Sequence, residues 1–258
     1  MTDVGNSRLT SILSEIRELY EVHNFRNAIE ILSASCTGEF IDILNALSEF
    51  RIELDDIRKP GGNESTIPKK ISSLLRAKNW SETRIQGDLV ITKTSASSGK
   101  KLSQKDANET LDLSILKNKG YQVEQITRKN FLDGHKVDYV KNRVAFDLEW
   151  NSKDQTFDRD LYAFRAFYDC DLIDAAVLLT RSKNLNKVFE MLGPELNEKG
   201  EPVMVKGKPK LVKSKYGAST TWMGKLLYRV RAGRNGGCPL LVLGITSRII
   251  SDWAENNE

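Results

Sequence analysis

The chain has 258 residues and an apolar fraction of 40%, enough for one large core or a core with an appendage. Lys and Arg outnumber Asp and Glu by only 39 to 35, so total charge does not announce a polyanion partner and the placement of charge has to decide. Cys36, Cys170 and Cys238 lie far apart with no Cys-x-x-Cys pairing, which excludes a disulfide framework and a structural zinc site, and no apolar run approaches the roughly 20 residues of a membrane span.

The start, Met1-Thr-Asp-Val-Gly-Asn-Ser, lacks a basic region followed by an apolar stretch, so the expectation is a protein of a reducing cytoplasm with no membrane partner. Leu9, Ile12, Leu13, Ile16, Leu19 and Tyr20 follow the three-and-four spacing of one helical face. Phe25, Ala28, Ile29 and Leu32 repeat it, and Phe40, Ile43, Leu44 and Leu47 form a third stripe. Pro60 and the paired glycines 61 and 62 end this run, which predicts an N-terminal helical subdomain over 1–58 and a second domain over 59–258.

Ile71, Leu74 and Leu75 predict a short helix before Trp80, Arg84 to Thr92 a strand, and Thr94 to Lys101 a polar loop. Residues 106–126 stay open between strand and helix, because Leu111, Leu113 and Ile115 alternate while their flanks favour helix. Val137 and Tyr139, a Lys141-Asn-Arg turn, and then Val144, Phe146, Leu148 and Trp150 read as a hairpin. A helix through Leu161, Phe164, Phe167 and Tyr168 precedes the apolar run Ile173 to Thr180, which suits a strand covered on both faces. Leu185, Val188, Phe189 and Leu192 mark another helix, and 197–215 reads as a basic hairpin arm inserted between core elements. Ser219 or Thr220 is placed to cap a helix carrying Trp222, Met223, Leu226, Leu227 and Val230, and Pro239 to Ile245 is a last buried strand. Strands alternating with helices around a mixed sheet make an α/β fold.

The hairpin carries the chemistry. Asp147 and Glu149, two apart on one strand, share a face, while Phe146, Leu148 and Trp150 take the other. The short turn returns Asp138 to the same end of the sheet. Two or three carboxylates suit Mg2+, which takes hard oxygen ligands, keeps several waters and can activate one of them against a phosphodiester. The competing explanation is a solvated acidic face of an amphipathic strand.

His135-Lys-Val-Asp-Tyr-Val-Lys-Asn-Arg-Val-Ala-Phe-Asp-Leu-Glu-Trp-Asn-Ser-Lys-Asp, followed by Phe157-Asp-Arg-Asp-Leu, resembles the active-site block of the BglII/BstYI group of type II restriction endonucleases. The resemblance continues through Lys215-Tyr-Gly-Ala-Ser-Thr-Thr-Trp-Met-Gly-Lys-Leu and Gly236-Gly-Cys-Pro-Leu-Leu-Val-Leu-Gly-Ile. It implies the PD-(D/E)xK nuclease core, a prokaryotic source, and Mg2+-dependent cutting of double-stranded DNA at a specific palindromic site by a homodimer, leaving 5′-phosphate ends. By that resemblance Asp138 and Asp147 are metal-binding acids, the carbonyl of Leu148 is a further ligand, and Glu149 positions or deprotonates the water or helps bind a second metal. Glu149 stands where many nucleases of this fold have lysine, and Asp147 where relatives have glutamate. Asn151 and Lys153 are then candidates to neutralise phosphate charge.

Lys206, Lys208, Lys210, Lys213 and Lys215, then Lys225, Arg229, Arg231 and Arg234, form a basic strip suited to a phosphate backbone. Base-reading and backbone candidates within it are Lys213, Ser214, Lys215, Ser219, Thr220, Thr221 and Lys225. With only His23 and His135, a histidine-based hydrolase lacks material, and Gly233-Arg-Asn-Gly-Gly precedes a strand where a dinucleotide fingerprint would follow one. Two other readings stay open: a repair or recombination nuclease of the same fold, and a DNA-binding protein whose nuclease site is inactive.

Overall fold

A computed structural model describes residues 3–59, 65–97, 99–102 and 112–254, with side chains from residue 9 onward. The chain divides into two compact units, one of Met1–Thr83 with Val137–Glu258 and one of Arg84–Lys136. The break expected at residues 60–64 lies outside the described residues.

The larger unit is built on a mixed sheet. Strands β1 (Tyr20–Phe25), β8 (Leu240–Ile245), β5 (Ala175–Arg181) and β4 (Val144–Glu149) lie in that spatial order, and the end of β3 (Gln122–Lys141) follows β4. β8, β5 and β4 run parallel, whereas β1 and β3 join antiparallel at the two sides. Every residue of β4, β5 and β8 is buried, which explains why β5 and β8 read as nearly continuous apolar runs; in β4 the buried run is broken by Asp147 and Glu149. Helix α7 (Thr156–Asp169) makes the crossover between β4 and β5, as a parallel pair requires.

The segment 1–58 is not a separate helical body. Helices α1 (Asp3–Leu19), α2 (Ala28–Ser35), α3 (Thr37–Glu49) and α4 (Leu54–Arg58) occur there, but Tyr20–Phe25 is strand, paired over all six residues with β8. Phe40, Ile43, Leu44 and Leu47 of α3 belong to the same buried cluster as Phe146, Leu148, Leu241 and Leu243 of the sheet. The Tyr20 hydroxyl donates to the Leu47 carbonyl at 2.8 Å within this core. The free edge of β8 thus overrides the helical reading of Tyr20, and the domain boundary predicted at 58 gives way to one shared core. Crowding at this edge also fixes Gly244, where an added Cβ would lie 2.8 Å from Met223 Cε and 3.0 Å from Glu21 Cβ.

Helix α5 (Thr66–Arg76) buries Ile67, Ile71 and Leu75 ahead of Trp80, as predicted. In the smaller unit most of β2 (Ser81–Ser95) neighbours β3 in a two-stranded ribbon. Lys93–Glu124 and Lys129–Asp88 ion pairs cross the ribbon, and Asp88 accepts the Asn130 N–H at 2.8 Å. The open segment resolves into α6 (Leu113–Asn118), capped by the Asp112 side chain, and strand from Gln122; residues 106–111 and Ser98 lie outside the described residues.

Helix α8 (Leu185–Met191) follows β5. The basic arm contains a hairpin of β6 (Met204–Val205) and β7 (Lys208–Pro209), turned by Lys206 at φ 51° and Gly207 at φ 75°. Two left-handed residues are what a tight two-residue hairpin loop demands. Short helix α9 (Val212–Lys215) leads to α10 (Met223–Arg231), whose N-cap residue is Trp222; neither Ser219 nor Thr220 caps it. Among the described residues no helix is long and apolar enough to cross a membrane.

Candidate active site

The β3–β4 hairpin pairs Lys141 with Val144, Val140 with Ala145 and Tyr139 with Phe146, turning through Asn142 at φ 48°. Beyond Tyr139 the ladder is replaced by side chains. The Asp138 N–H donates to Asp147 Oδ1 at 2.7 Å, and the Leu148 N–H bonds to the Asp138 carboxylate. Each of these two acids is therefore clasped by main chain of the opposite strand, which fixes their relative position without a cation.

Asp147 and Glu149 alternate with Phe146, Leu148 and Trp150 as expected, yet they do not face open solvent. Helix α7 packs over their side of β4, leaving Asp147 4% and Glu149 7% exposed. That rules out the solvated-face explanation, because a solvated acid does not sit under a helix.

Helix α7 adds an acid that sequence reasoning missed. Asp160 falls on the apolar stripe of Phe157, Leu161, Phe164 and Phe167 and is 1% exposed. A carboxylate oxygen of Asp160 lies within 4.8 Å of one from Asp147. A charge set into an apolar helical stripe was the legible signal for it. Glu82, in the first residues of β2, lies close enough to add to the upward push on the pKa of Asp138.

Electrostatically the cluster is short of positive charge. Asp147 Oδ2 and Glu149 Oε2 are buried and meet no hydrogen-bond donor among the described residues. Burial, then the charges of Asp160 and Asp138, hold Asp147 well above the usual carboxyl range. Burial and then Glu149 push Asp160 up to about 8. Asp138 is exposed as a residue, yet desolvation of its carboxyl group comes first among the causes that raise it to about 6, followed by Glu149. Arg159, 60% exposed, brings a cation to the rim, with Nη2 3.4 Å from Asp160 Oδ1 and 4.0 Å from Glu149 Oε1. Buried carboxylates with oxygens left over are the donor set of a hard divalent cation, so the residues present fit Mg2+.

The remaining candidates divide. Asn151 follows β4 with its buried Oδ1 lacking a donor, and exposed Lys153 forms a backbone bridge with Thr220. The bridge is made by two main-chain bonds, Asp154 N–H to Ser219 O and Thr221 N–H to Ser152 O, both 2.9 Å, which staple residues 152–154 to 219–221. Lys213, Ser214 and Ser219 are exposed. Thr221 is fully buried, so its side chain is not on a reading surface. The Lys215 ammonium is spent on the Lys59 carbonyl at 2.6 Å, and burial lowers its pKa. Lys225 pairs with Asp154 at 3.3 Å, Arg229 with Asp158 at 3.0 Å, and Arg234 also with Asp158. The basic strip is thus partly neutralised from within, and its unspent charge lies on the arm and on exposed residues such as Lys213 and Arg231.

The family model for restriction endonuclease BglII/BglIII matches residues 20–245. A solved structure of restriction endonuclease BglII complexed with a DNA 16-mer is similar over 88% of this chain and 76% of that chain, with a TM-score of 0.47 and 10% identity. No curated protein matches by sequence. The matched span takes in the sheet, the acid cluster and the stapled loop, and the chain belongs to the BglII/BglIII restriction endonuclease family.

Proposed function

We propose that the chain is an active Mg2+-dependent enzyme that binds double-stranded DNA and hydrolyses one phosphodiester in each strand of a palindromic site, working as a homodimer and leaving 5′-phosphate ends. The observation that carries this reading is the pair of buried, donor-less oxygens on Asp147 and Glu149 beside Asp138. Asp138, Asp147 and the Leu148 carbonyl would hold the ion, which when bound polarises the scissile phosphate and lowers the pKa of a water. Glu149 orients that water and takes its proton. Asp160, near enough to share a proton with Glu149, keeps the pair from carrying two full charges under α7. Arg159 screens the cluster from its exposed side. Asn151 and Lys153 approach the phosphate from the loop that leaves β4, and the twofold axis of a dimer would present a second such site to the other strand.

Incubation of the purified protein with plasmid DNA and Mg2+ tests this. Discrete fragments from the wild type, with Asp138→Ala and Asp147→Ala binding DNA but not cutting, are expected. Binding without cleavage at every divalent metal tried would leave an inactive DNA-binding protein, and nicking that follows DNA structure instead of sequence would indicate repair or recombination.

A further inference from the structure

The end of β5 holds a cation that the protein does not neutralise. Arg181 is 2% exposed, and its Nε meets no acceptor among the described residues. Its Nη2 donates to Thr220 Oγ1 at 2.5 Å and reaches the Tyr216 carbonyl at 3.4 Å. The guanidinium lies 5.6 Å from the Phe189 ring centre and 5.5 Å from that of Tyr216, two rings stacked 4.0 Å apart. Oxygen dipoles and ring faces soften a buried charge without cancelling it, and among the described residues no carboxylate forms an ion pair with Arg181.

Beside it is a cavity of about 260 Å3 lined by Arg181, Asn186, Tyr216, Ala218, Trp222 and Lys225. Two cationic side chains, an amide and an indole converge there, and the lining contains no acid. Lys225 leans on Asp154 from outside the lining. A planar fork of N–H donors next to a point charge is the arrangement that holds tetrahedral oxyanions. Its location narrows the anion further. Thr180 pairs with Glu149 across the β4–β5 ladder, so Arg181 stands one residue beyond the acid cluster at the same end of the sheet, its side chain on the opposite face against Phe189 and Tyr216. The cavity wall from Tyr216 to Ala218 leads directly into the 219–221 segment stapled to the loop after β4.

We propose that the Arg181–Lys225 cavity is a phosphate-binding site, which seats a phosphate group at the same end of the sheet as the acid cluster and on its opposite face. The inference deepens the nuclease reading and takes the DNA backbone as the source of that phosphate, with free inorganic phosphate as the alternative source. Phosphate contacts carry no sequence information, so the recognition site need not be known to test it.

The test has two arms in the full chain. In the first, an Asp147→Asn background binds a fluorescent 30-base-pair duplex of arbitrary sequence over a range of NaCl concentrations. Arg181→Met is expected to weaken binding several-fold and to reduce the slope of log affinity against log salt by about 1, the signature of one lost phosphate contact. Ala218→Glu, an exposed change at the cavity that puts a carboxylate against the anion, is expected to do the same and decides the matter should Arg181→Met not fold. In the second arm, inorganic phosphate at matched ionic strength is expected to raise the melting temperature of the wild type and not of either variant. A phosphate-dependent melting shift lost in the variants with an unchanged DNA slope assigns the site to free phosphate. Unchanged slopes together with unchanged phosphate stabilisation overturn the proposal. A protein that fails to cut plasmid DNA yet shows these losses would sink the nuclease reading alone, and one that cuts while both arms are flat would sink the cavity alone.

Discussion

Asp158 and Asp160 stand two residues apart on α7 and have opposite surroundings. Burial works against the charge of Asp158, but hydrogen bonds from Arg234 and Arg229 outweigh it and hold its pKa below the ordinary value. Asp160 meets Asp147 and Glu149, with Arg159 at the rim, and is pushed up to about 8. One face of the helix is closed by ion pairs that bind it to α10, whereas the other gathers carboxyl groups of like charge. The lesson is that a buried acid signals function when its neighbours are other acids, and architecture when they are arginines.

The sharpest way to break this contrast is Asp147→Asn. Losing a carboxylate on the proposed metal removes several kcal/mol of charge stabilisation, so the plasmid cleavage rate should fall by at least about a thousand-fold. The melting temperature should hold or rise, which separates a lost site from a lost fold. Arg229→Met, on the closed face, should do the reverse. With Arg229 9% exposed and Asp154 and Asp158 each losing one of two cationic partners, urea denaturation should show a loss of about 2 kcal/mol, less than a fully buried pair because Lys225 and Arg234 remain and Asp158 is 38% exposed.

A third measurement titrates the open face. Asp138 and Asp160 have folded-state values above those of the unfolded chain, about 6 and about 8. Such groups contribute stability that is fully present below about pH 4 and is lost as pH rises through 6 and 8. Metal-free protein should therefore melt progressively lower between pH 5 and pH 9, and Mg2+ should flatten the curve. Asp160→Asn should also flatten its upper part and raise the metal-free melting temperature by about 2–4 °C at neutral pH, for a gain of about 1 kcal/mol. The smallest effect belongs to the arm. Lys206→Ala with Lys208→Ala, both exposed, should move stability by less than about 0.5 kcal/mol and lower DNA affinity evenly across sequences.

The sequence made the hairpin and its acids readable because strand period and turn chemistry are local: Asp147 and Glu149 alternate with Phe146, Leu148 and Trp150, and Asn142 sits where a tight turn needs it. The buried strands β5 and β8 were readable as unbroken apolar runs for the same reason. Tyr20–Phe25 was misread because its partner, β8, lies more than 200 residues on, and nothing local distinguishes a six-residue edge strand from the end of a helix. Asp160 is not legible from its motif alone, since its meaning depends on which strand lies under α7. Lys215 and Thr221 resembled surface contacts because lysine and threonine are usually exposed; one is committed to a main-chain carbonyl and the other is packed away. Arg181 gave no signal at all, as an arginine after an apolar strand looks like the solvent-facing end of that strand.

The two backbone hydrogen bonds between residues 152–154 and 219–221 have a mechanical corollary. Peptide bonds are stiff, and Ser152 is only three residues from Glu149, so the two segments move together or not at all. A displacement of 219–221 by a fraction of an ångström, imposed by whatever lies against Ser219, is delivered to the end of β4 with little slack. In this arrangement fidelity would become a matter of leverage: a ligand poorly seated against Ser219 would shift the end of β4, and Glu149 with it.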